Sequence, residues 1–203
     1  MAIKTRDKIL NAGLKLISTR GYLGATTKEI ARAAGVAELT VFRHFESKEK
    51  LFEAVLTRYT FLPVLKEMIP EIAGMPYEKA LREIAGRQLQ VLSLRRDMVK
   101  IMHAEMGRYP EKVQEIYHSF IDQLIKVLAA YFDGLIKKGL LREFDAELGA
   151  RAFFGMFFSY FNAQEFLMRK KHRTTDQDKV VSEFVKIFVQ GTLIPGAEET
   201  EAV

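Results

Sequence analysis

Residues 38–45 hold side chains that could read the hydrogen-bonding edges of nucleic-acid bases. Arg43 can donate two parallel hydrogen bonds to guanine, and Thr40 can bond to either a base or a phosphate. If Val41 and Phe45 face a core, the helical repeat turns the opposite face of this segment towards solvent. The side chains left on that outer face are Leu39, Thr40, Arg43 and His44.

Two further positions could hold the phosphates of a nucleic-acid backbone. Ser47 is a typical N-cap residue, so Lys48 falls in the first turn of a helix whose leading N–H groups lack partners. Such a helix start favours a bound phosphate. Thr27 and Lys28 offer a similar combination at the start of an earlier helix.

To present these side chains to a nucleic acid, two short helices must pack closely against each other at the turn that joins them. A close corner needs a small residue on the first helix, a glycine in the turn and an apolar residue on the second helix. Ala31, Gly35 and Val41 supply these three types, and Ile30 and Val36 add apolar surface. The spacing indicates a helix-turn-helix, whose second helix fits a major groove about 12 Å wide.

Local signals set the bounds of the two helices. Thr26 and Glu29 form a capping-box pattern at the start of the first helix. Gly35 can adopt the positive φ that ends it. We therefore predict helices over residues 27–34 and 38–45.

The charge of the chain is unevenly distributed. Residues 1–60 hold 11 Lys and Arg against 6 Asp and Glu, whereas the remainder holds 20 of each. All of the excess positive charge therefore lies in the first third, as expected for a polyanion-binding module attached to a neutral body.

Composition limits the class of protein. The chain of 203 residues has no cysteine, which excludes disulfides and thiolate metal ligands. The longest nearly apolar stretch, residues 152–161, is far shorter than the roughly 20 residues that span a bilayer. The N-terminus is charged where a signal peptide needs an apolar run. We predict a cytoplasmic protein.

Helical periodicity dominates the whole chain, so we predict an all-α fold of eight or nine helices. The expected organisation is an N-terminal three-helix helix-turn-helix domain and a larger helical domain for ligand binding and dimerisation. The predicted domains are residues 1–46, residues 47–194 and a disordered acidic tail over 195–203. The predicted helices are about 4–20, 27–34, 38–45, a long one after Ser47 distorted at Pro63, 76–95, 97–108, 110–138, 145–171 and 177–193.

The segment TTKEIARAAGVAELTVFRHFESKEKLFEAV, residues 26–55, resembles the DNA-binding region of TetR-family transcriptional regulators. The resemblance implies a homodimer that reads a near-palindromic double-stranded DNA operator and that a small molecule releases. It places backbone contacts at Thr27, Thr40, Phe42, His44 and Lys48, and base contacts at Ala37, Leu39 and Arg43.

Three residues depart from the pattern of that family. Ala37 stands where a hydroxyl residue usually caps the recognition helix. The absence of that side-chain cap lowers the stability of an isolated helix by about 1 kcal/mol. Leu39 replaces a frequent glycine and could contact a thymine methyl group. Phe42 replaces the usual tyrosine and cannot donate to a phosphate, so we leave it out of the contact set. These departures affect the operator sequence and leave the class unchanged.

Two very apolar helices indicate a subunit interface. Residues 153–161 contain six aromatic side chains, and the last helix is similarly apolar. Such helices need cover on more than one side, which a homodimer provides; a thick monomeric core is the alternative. The predicted interface residues are Phe153, Phe157, Tyr160, Val181, Phe184 and Phe188.

A stripe of methionines on the helix over 97–108 indicates a site for a hydrophobic or amphipathic effector, although methionines also fill ordinary cores. Glu105 lies within this stripe and could face the effector or pair with Arg108. The predicted effector residues are Met102, Glu105, Met106, Phe120, Leu124, Phe154 and Phe158.

Two other classes remain open. A constitutive DNA-binding protein would use its C-terminal domain only for dimerisation. A helical enzyme would need a site, and Glu115 with His118 could place two metal ligands on one helical face. No glycine-rich phosphate loop or serine elbow is present, so we predict no catalytic residue, no metal and no cofactor.

Overall fold

The computed structural model describes residues 4–167 and 176–197, and these confirm the predicted all-α fold. A 3₁₀ turn covers Met106–Arg108, a π turn covers Ala163–Leu167, and no strand occurs within the described ranges. The α-helices are α1 (Thr5–Gly24), α2 (Thr27–Ala34), α3 (Glu38–Phe45), α4 (Lys48–Tyr59), α5 (Phe61–Ile72), α6 (Tyr77–Leu94), α7 (Arg96–Glu105), α8 (Glu111–Lys137), α9 (Ala146–Asn162) and α10 (Gln177–Thr192).

The long helix expected after Ser47 is two helices in the structure. Thr60 adopts an extended conformation (φ −96°, ψ −174°) between α4 and α5. Pro63 therefore falls in the first turn of α5, where proline's missing N–H removes no intrahelical bond. The prediction of a distortion near Pro63 was right, but its position was wrong by three residues.

Helix α1 is longer than expected. We predicted an end before Gly21, yet the helix resumes and runs to Gly24. Gly21 has non-helical dihedral angles (φ 71°, ψ 174°), so α1 is kinked there. The glycine thus marks a real break, and the chain after it forms one more turn.

The chain forms two compact units, each with its own core. The first comprises the described residues up to Thr60 together with Arg95–Ile121, and the second comprises Phe61–Leu94 together with the described residues from Asp122 onward. The predicted domains 1–46, 47–194 and 195–203 are defined by function rather than by compactness, and they stay a prediction. Residues 198–203 of the expected tail lie outside the described ranges.

The core of the first unit is built from helices α1, α2, α3 and α4 together with α7 and the start of α8. Ile9, Ile30, Leu51 and Phe52 are almost completely buried at its centre. Met102 of α7 belongs to the same core. Residues from the middle of the chain therefore help to build the helix-turn-helix unit.

The second unit packs α6 against α5, α9 and α10 around aromatic side chains. The buried Phe132 ring contacts Tyr77, Phe144 and Phe188. The hydroxyl groups of Tyr77 and Thr192 lie 3.1 Å apart, which joins the start of α6 to the end of α10. Among the described residues, no helix has the length and apolar character that a bilayer crossing requires.

Candidate DNA-binding surface

Helices α2 and α3 meet at the corner that the sequence predicts, with the predicted bounds. Ala31 and Val41 are buried against each other's helices, and Gly35 adopts the left-handed conformation (φ 68°, ψ 38°). Thr26 Oγ1 accepts the N–H of Glu29 at 3.2 Å, and the Glu29 carboxylate accepts the N–H of Thr26 at 3.4 Å. Both halves of the capping box are therefore formed.

The outer face of α3 is accessible. Leu39 is 62% exposed and Phe42 is 41% exposed, and Arg43 and His44 are also exposed. These two side chains give the outer face of this short helix an exposed apolar surface. Ala37 is exposed before the helix, and Thr40 is half-buried on its flank.

Arg43 makes no hydrogen bond or ion pair with any residue in the described ranges. Two other arginines of the first unit are paired: Arg20 with Glu29 at 2.5 Å, and Arg58 with Asp7 at 3.3 Å. An exposed guanidinium that no carboxylate occupies is free to donate a bidentate pair to a base or phosphate.

The Thr27 hydroxyl group already has a hydrogen-bond partner within the protein. Its hydroxyl donates to Glu38 Oε1 at 2.6 Å, which ties the start of α2 to the start of α3. Ala37 provides no side-chain cap for α3, so this bond between the two helix starts helps to fix α3 instead. Lys28 is exposed beside it and leaves its ammonium group available.

Lys48 is held in one place at the start of α4. Its Nζ lies 4.3 Å from the centroid of the Tyr22 ring and 3.5 Å from the carbonyl oxygen of Leu23. Burial lowers the pKa of Lys48, an effect that the charge of Glu49 partly offsets. Ser47 caps the helix by accepting the N–H of Lys50 at 3.2 Å. The ammonium group is thus positioned beside a helix start, as a phosphate contact requires.

Tyr22 connects Lys48 to the rest of the first unit. Its hydroxyl donates to Glu49 Oε1 at 2.9 Å, and its ring packs edge-on against Phe52. Burial, reinforced by the neighbouring Glu49, raises the pKa of Tyr22 well above its usual value. No sequence pattern indicated this role, because Tyr22 falls just after the expected end of α1.

The contacts of Tyr22 extend to α7 and the turn after it. The backbone N–H of Tyr22 donates to Tyr109 Oη at 3.1 Å, and Tyr109 in turn donates to Glu105 Oε2 at 3.2 Å. The Glu105 carboxylate fills the space where a side chain at position 21 would begin. Its partner is therefore Tyr109, rather than the Arg108 that the sequence offered.

The seven predicted effector residues are divided between the two units. In the first unit, Met102 is buried in the core, and Met106 and Phe120 pack against that core. In the second unit, Leu124 and Phe154 are buried and Phe158 is half-buried. The role of these residues in effector binding stays a prediction.

The predicted interface residues lie mostly beneath the surface of the second unit. Phe153 and Phe157 are fully buried, and Val181 and Phe188 nearly so, all within one chain. Different residues of the same helices are exposed: Leu148 of α9 is 63% exposed, and Ile187 of α10 is 62% exposed. Tyr160 and Phe184 are half-buried, with their rings 6.3 Å apart.

A surface pocket of about 400 Å³ lies between α6 and α10 in the second unit. Its lining is mainly polar and charged, and it contains none of the predicted effector residues. The lining residues are Arg82, Glu83, Gly86, Arg87, Gln90, Asp178 and Val181.

Glu115 and His118 are both exposed on α8. Within the described ranges, no three His, Asp or Glu side chains lie close enough together to hold a metal ion. The expected absence of a metal stays a prediction.

Comparisons with known proteins match both parts of the chain. Residues 9–55 match the family "Bacterial regulatory proteins, tetR family", and residues 79–191 match "AefR-like transcriptional repressor, C-terminal domain". The HTH-type transcriptional regulator YvkB of Bacillus subtilis (strain 168) is 27% identical over 187 residues, which cover 92% of this chain and 96% of YvkB.

Two solved structures share the fold. The regulator FadR of Bacillus subtilis, solved in complex with stearoyl-CoA, is similar with a TM-score of 0.72 and 17% identity, over 91% of this chain and 98% of FadR. AibR, solved with isovaleryl coenzyme A and operator DNA, is similar with a TM-score of 0.61 and 20% identity, over 91% and 97% of the two chains.

Proposed function

This chain belongs to the TetR family of bacterial transcriptional regulators, which bind DNA through a helix-turn-helix, and we propose that it is a homodimeric repressor released from a near-palindromic operator by a hydrophobic or amphipathic effector. The observation that carries this proposal is the exposed face of α3, where Arg43 has no partner among the described residues. Lys48, held at the start of α4 by the Tyr22 ring and the Leu23 carbonyl oxygen, supplies a phosphate contact.

Base recognition is assigned to the outer side of α3. Arg43 donates to a guanine, and Leu39 contacts a thymine methyl group. Ala37 lies at the start of the helix, where the backbone comes closest to the base edges. The exposure of all three residues supports this assignment.

Backbone recognition uses the two helix starts and the flank of α3. Lys48 and Lys28 supply charge beside unpaired N–H groups. Thr27 contributes mainly its backbone N–H, since its hydroxyl is bonded to Glu38. Thr40 and His44 supply further phosphate contacts.

The dimer forms through the exposed sides of α9 and α10. Leu148, Ala152, Gly155 and Ser159 are exposed at spacings of four, three and four residues, so they form one stripe along α9. Small residues along the stripe allow a partner helix to approach closely, and Ile187 of α10 adds apolar area. Of the six residues first expected there, Tyr160 and Phe184 form the margin, and the other four support the interface from below.

The dimer gives the operator its symmetry. Two α3 helices must be about 34–36 Å apart to enter successive major grooves on one side of DNA. An effector that binds more tightly to a dimer with another spacing must weaken DNA binding, because the two equilibria are linked.

The effector binds in the second unit, at Leu124, Phe154 and Phe158. The solved complexes of FadR and AibR contain acyl-CoA molecules, which supports an acyl thioester as the effector class here. Of the other residues first expected to contact it, Met102, Met106 and Phe120 pack in or against the core of the first unit. We assign those three and Glu105 to transmission of the change.

The test is release of bound DNA. Fluorescently labelled DNA from upstream of the protein's own gene is saturated with protein, and stearoyl-CoA or isovaleryl-CoA is added while anisotropy is followed. A repressor of this kind loses operator affinity on addition of one of them. A constitutive DNA-binding protein keeps its affinity at saturating concentrations of both.

A further inference from the structure

Gln88 is a buried polar residue in the middle of α6. Only 4% of it is exposed, and Thr192 is the one other polar residue that is buried within the described ranges. Thr192 is fully bonded, since its hydroxyl donates to the carbonyl oxygen of Phe188 at 2.7 Å and lies next to Tyr77. Gln88 differs from it in this respect.

Only half of the Gln88 amide has a partner. Its Nε2 donates to the carbonyl oxygen of Phe154 at 3.2 Å, while its Oε1 accepts from no described residue. Rotating the amide would not relieve this, because it would place Oε1 against the Phe154 carbonyl oxygen. The bond to α9 therefore fixes the amide and leaves Oε1 as a free acceptor in a buried position.

The surroundings of Gln88 define what could bond to it. The Phe154 ring packs edge-on against Phe61 and Phe153, with centroids 6.0 Å away in each case. No charged side chain is buried in the described part of the chain, so a charged donor such as an ammonium group would find no buried counter-ion there. A neutral N–H or O–H donor attached to an apolar body fits this acceptor.

We propose that Gln88 is an effector-binding residue whose Oε1 accepts a hydrogen bond from a neutral amide or hydroxyl group of the effector. This inference rests on the proposed effector site, of which Phe154 is a member. It adds a chemical requirement: the effector carries an N–H or O–H donor within reach of its apolar chain, as an acyl-CoA does in its first pantetheine amide, and a molecule without such a donor binds more weakly.

The test uses two probes that differ in one group. N-ethyldecanamide has an N–H where ethyl decanoate has an ester oxygen, and the two are otherwise matched. Their affinities are measured by isothermal titration calorimetry with the full chain, with Gln88→Met and with Gln90→Met as a control. Gln90 is exposed two residues further along α6.

We expect wild type and Gln90→Met to bind the amide about tenfold or more tightly than Gln88→Met does, with ester affinity similar in all three. Gln88→Met should fold, because a side chain of similar length replaces an amide with an unsatisfied oxygen; Gln88→Leu is the second variant if it does not.

Two results overturn the inference. If Gln88→Met lowers the affinities for the amide and the ester equally, or changes neither, Gln88 reads no donor, while the proposed effector site stands. If wild type binds neither probe, this inference fails; if in addition no acyl-CoA releases DNA, the proposed effector site fails with it.

Discussion

The phenolic oxygen of Tyr109 accepts the backbone N–H of Tyr22 at 3.1 Å, across 87 residues of sequence. The same oxygen donates to Glu105 at 3.2 Å, so one hydroxyl group joins the kink of α1 to the end of α7. Tyr22 in turn holds Lys48 against its ring. Glu105, from the middle of the chain, is thereby connected by three successive interactions to Lys48, the proposed phosphate contact.

Replacing Tyr109 with phenylalanine should destabilise the first unit. The change leaves the ring contact with Tyr22 but removes the acceptor of a buried N–H, which costs about 1–3 kcal/mol of unfolding free energy. Urea denaturation measures the loss. Tyr117→Phe is the control, since Tyr117 packs against the same core and its hydroxyl has no hydrogen-bond partner in the described ranges. Equal stabilities of the two variants would contradict this account.

Gly21→Ala should be destabilising for two separate reasons. Position 21 has a φ of 71°, and a Cβ there would collide with the Glu105 carboxylate. We expect a loss of about 2 kcal/mol or more in unfolding free energy. Gly107→Ala, where a Cβ meets nothing within 4 Å, should change little. Adding Glu105→Ala to Gly21→Ala should recover only the part due to collision; full recovery would show that the φ angle costs nothing.

The features that depend on neighbours in sequence were predictable. The bounds of α2 and α3 followed from the capping box at Thr26 and from Gly35, because caps act within one helical turn. The break before α5 was misplaced at Pro63, since proline is tolerated in the first turn of a helix and so does not mark its start uniquely.

The features that depend on distant packing were not predictable. Periodicity identifies Phe153 and Phe157 as inward-facing, but it cannot distinguish the core of one chain from a subunit interface. Tyr22 and Tyr109 are far apart in sequence, and neither lies in a recognisable pattern. The resemblance to the family supplied the DNA-contact positions, while only the structure showed that Thr27 is bonded to Glu38.

Lys48→Ala should weaken binding to all DNA sequences similarly. Loss of one phosphate contact should reduce the slope of log affinity against log salt concentration by about one. Lys50→Ala is a matched control, because Lys50 is paired with Glu53 at 2.8 Å. Anisotropy titrations at several salt concentrations give the slopes. A loss confined to the operator would assign Lys48 to base recognition instead.

Leu148→Glu and Ile187→Glu should each shift the protein from dimer to monomer. Both place a charge on the exposed face that we assign to the subunit interface, where an unpaired buried charge is strongly unfavourable. Leu94→Glu is the control, since Leu94 is 68% exposed on a different helix, at the end of α6. Sedimentation velocity at micromolar concentration distinguishes the states. A wild-type monomer, or dimers in all three variants, would contradict the assignment.

The most direct test of the central claim is the operator preference of wild type and Arg43→Ala. Anisotropy at fixed physiological salt compares DNA from upstream of the protein's own gene with a scrambled sequence. We expect wild type to prefer the upstream DNA by a factor of about 10³ or more. Arg43→Ala should lose about 1–3 kcal/mol of that preference while binding scrambled DNA as before. Equal losses on both DNAs would show that Arg43 reads no base and would contradict the role given to α3.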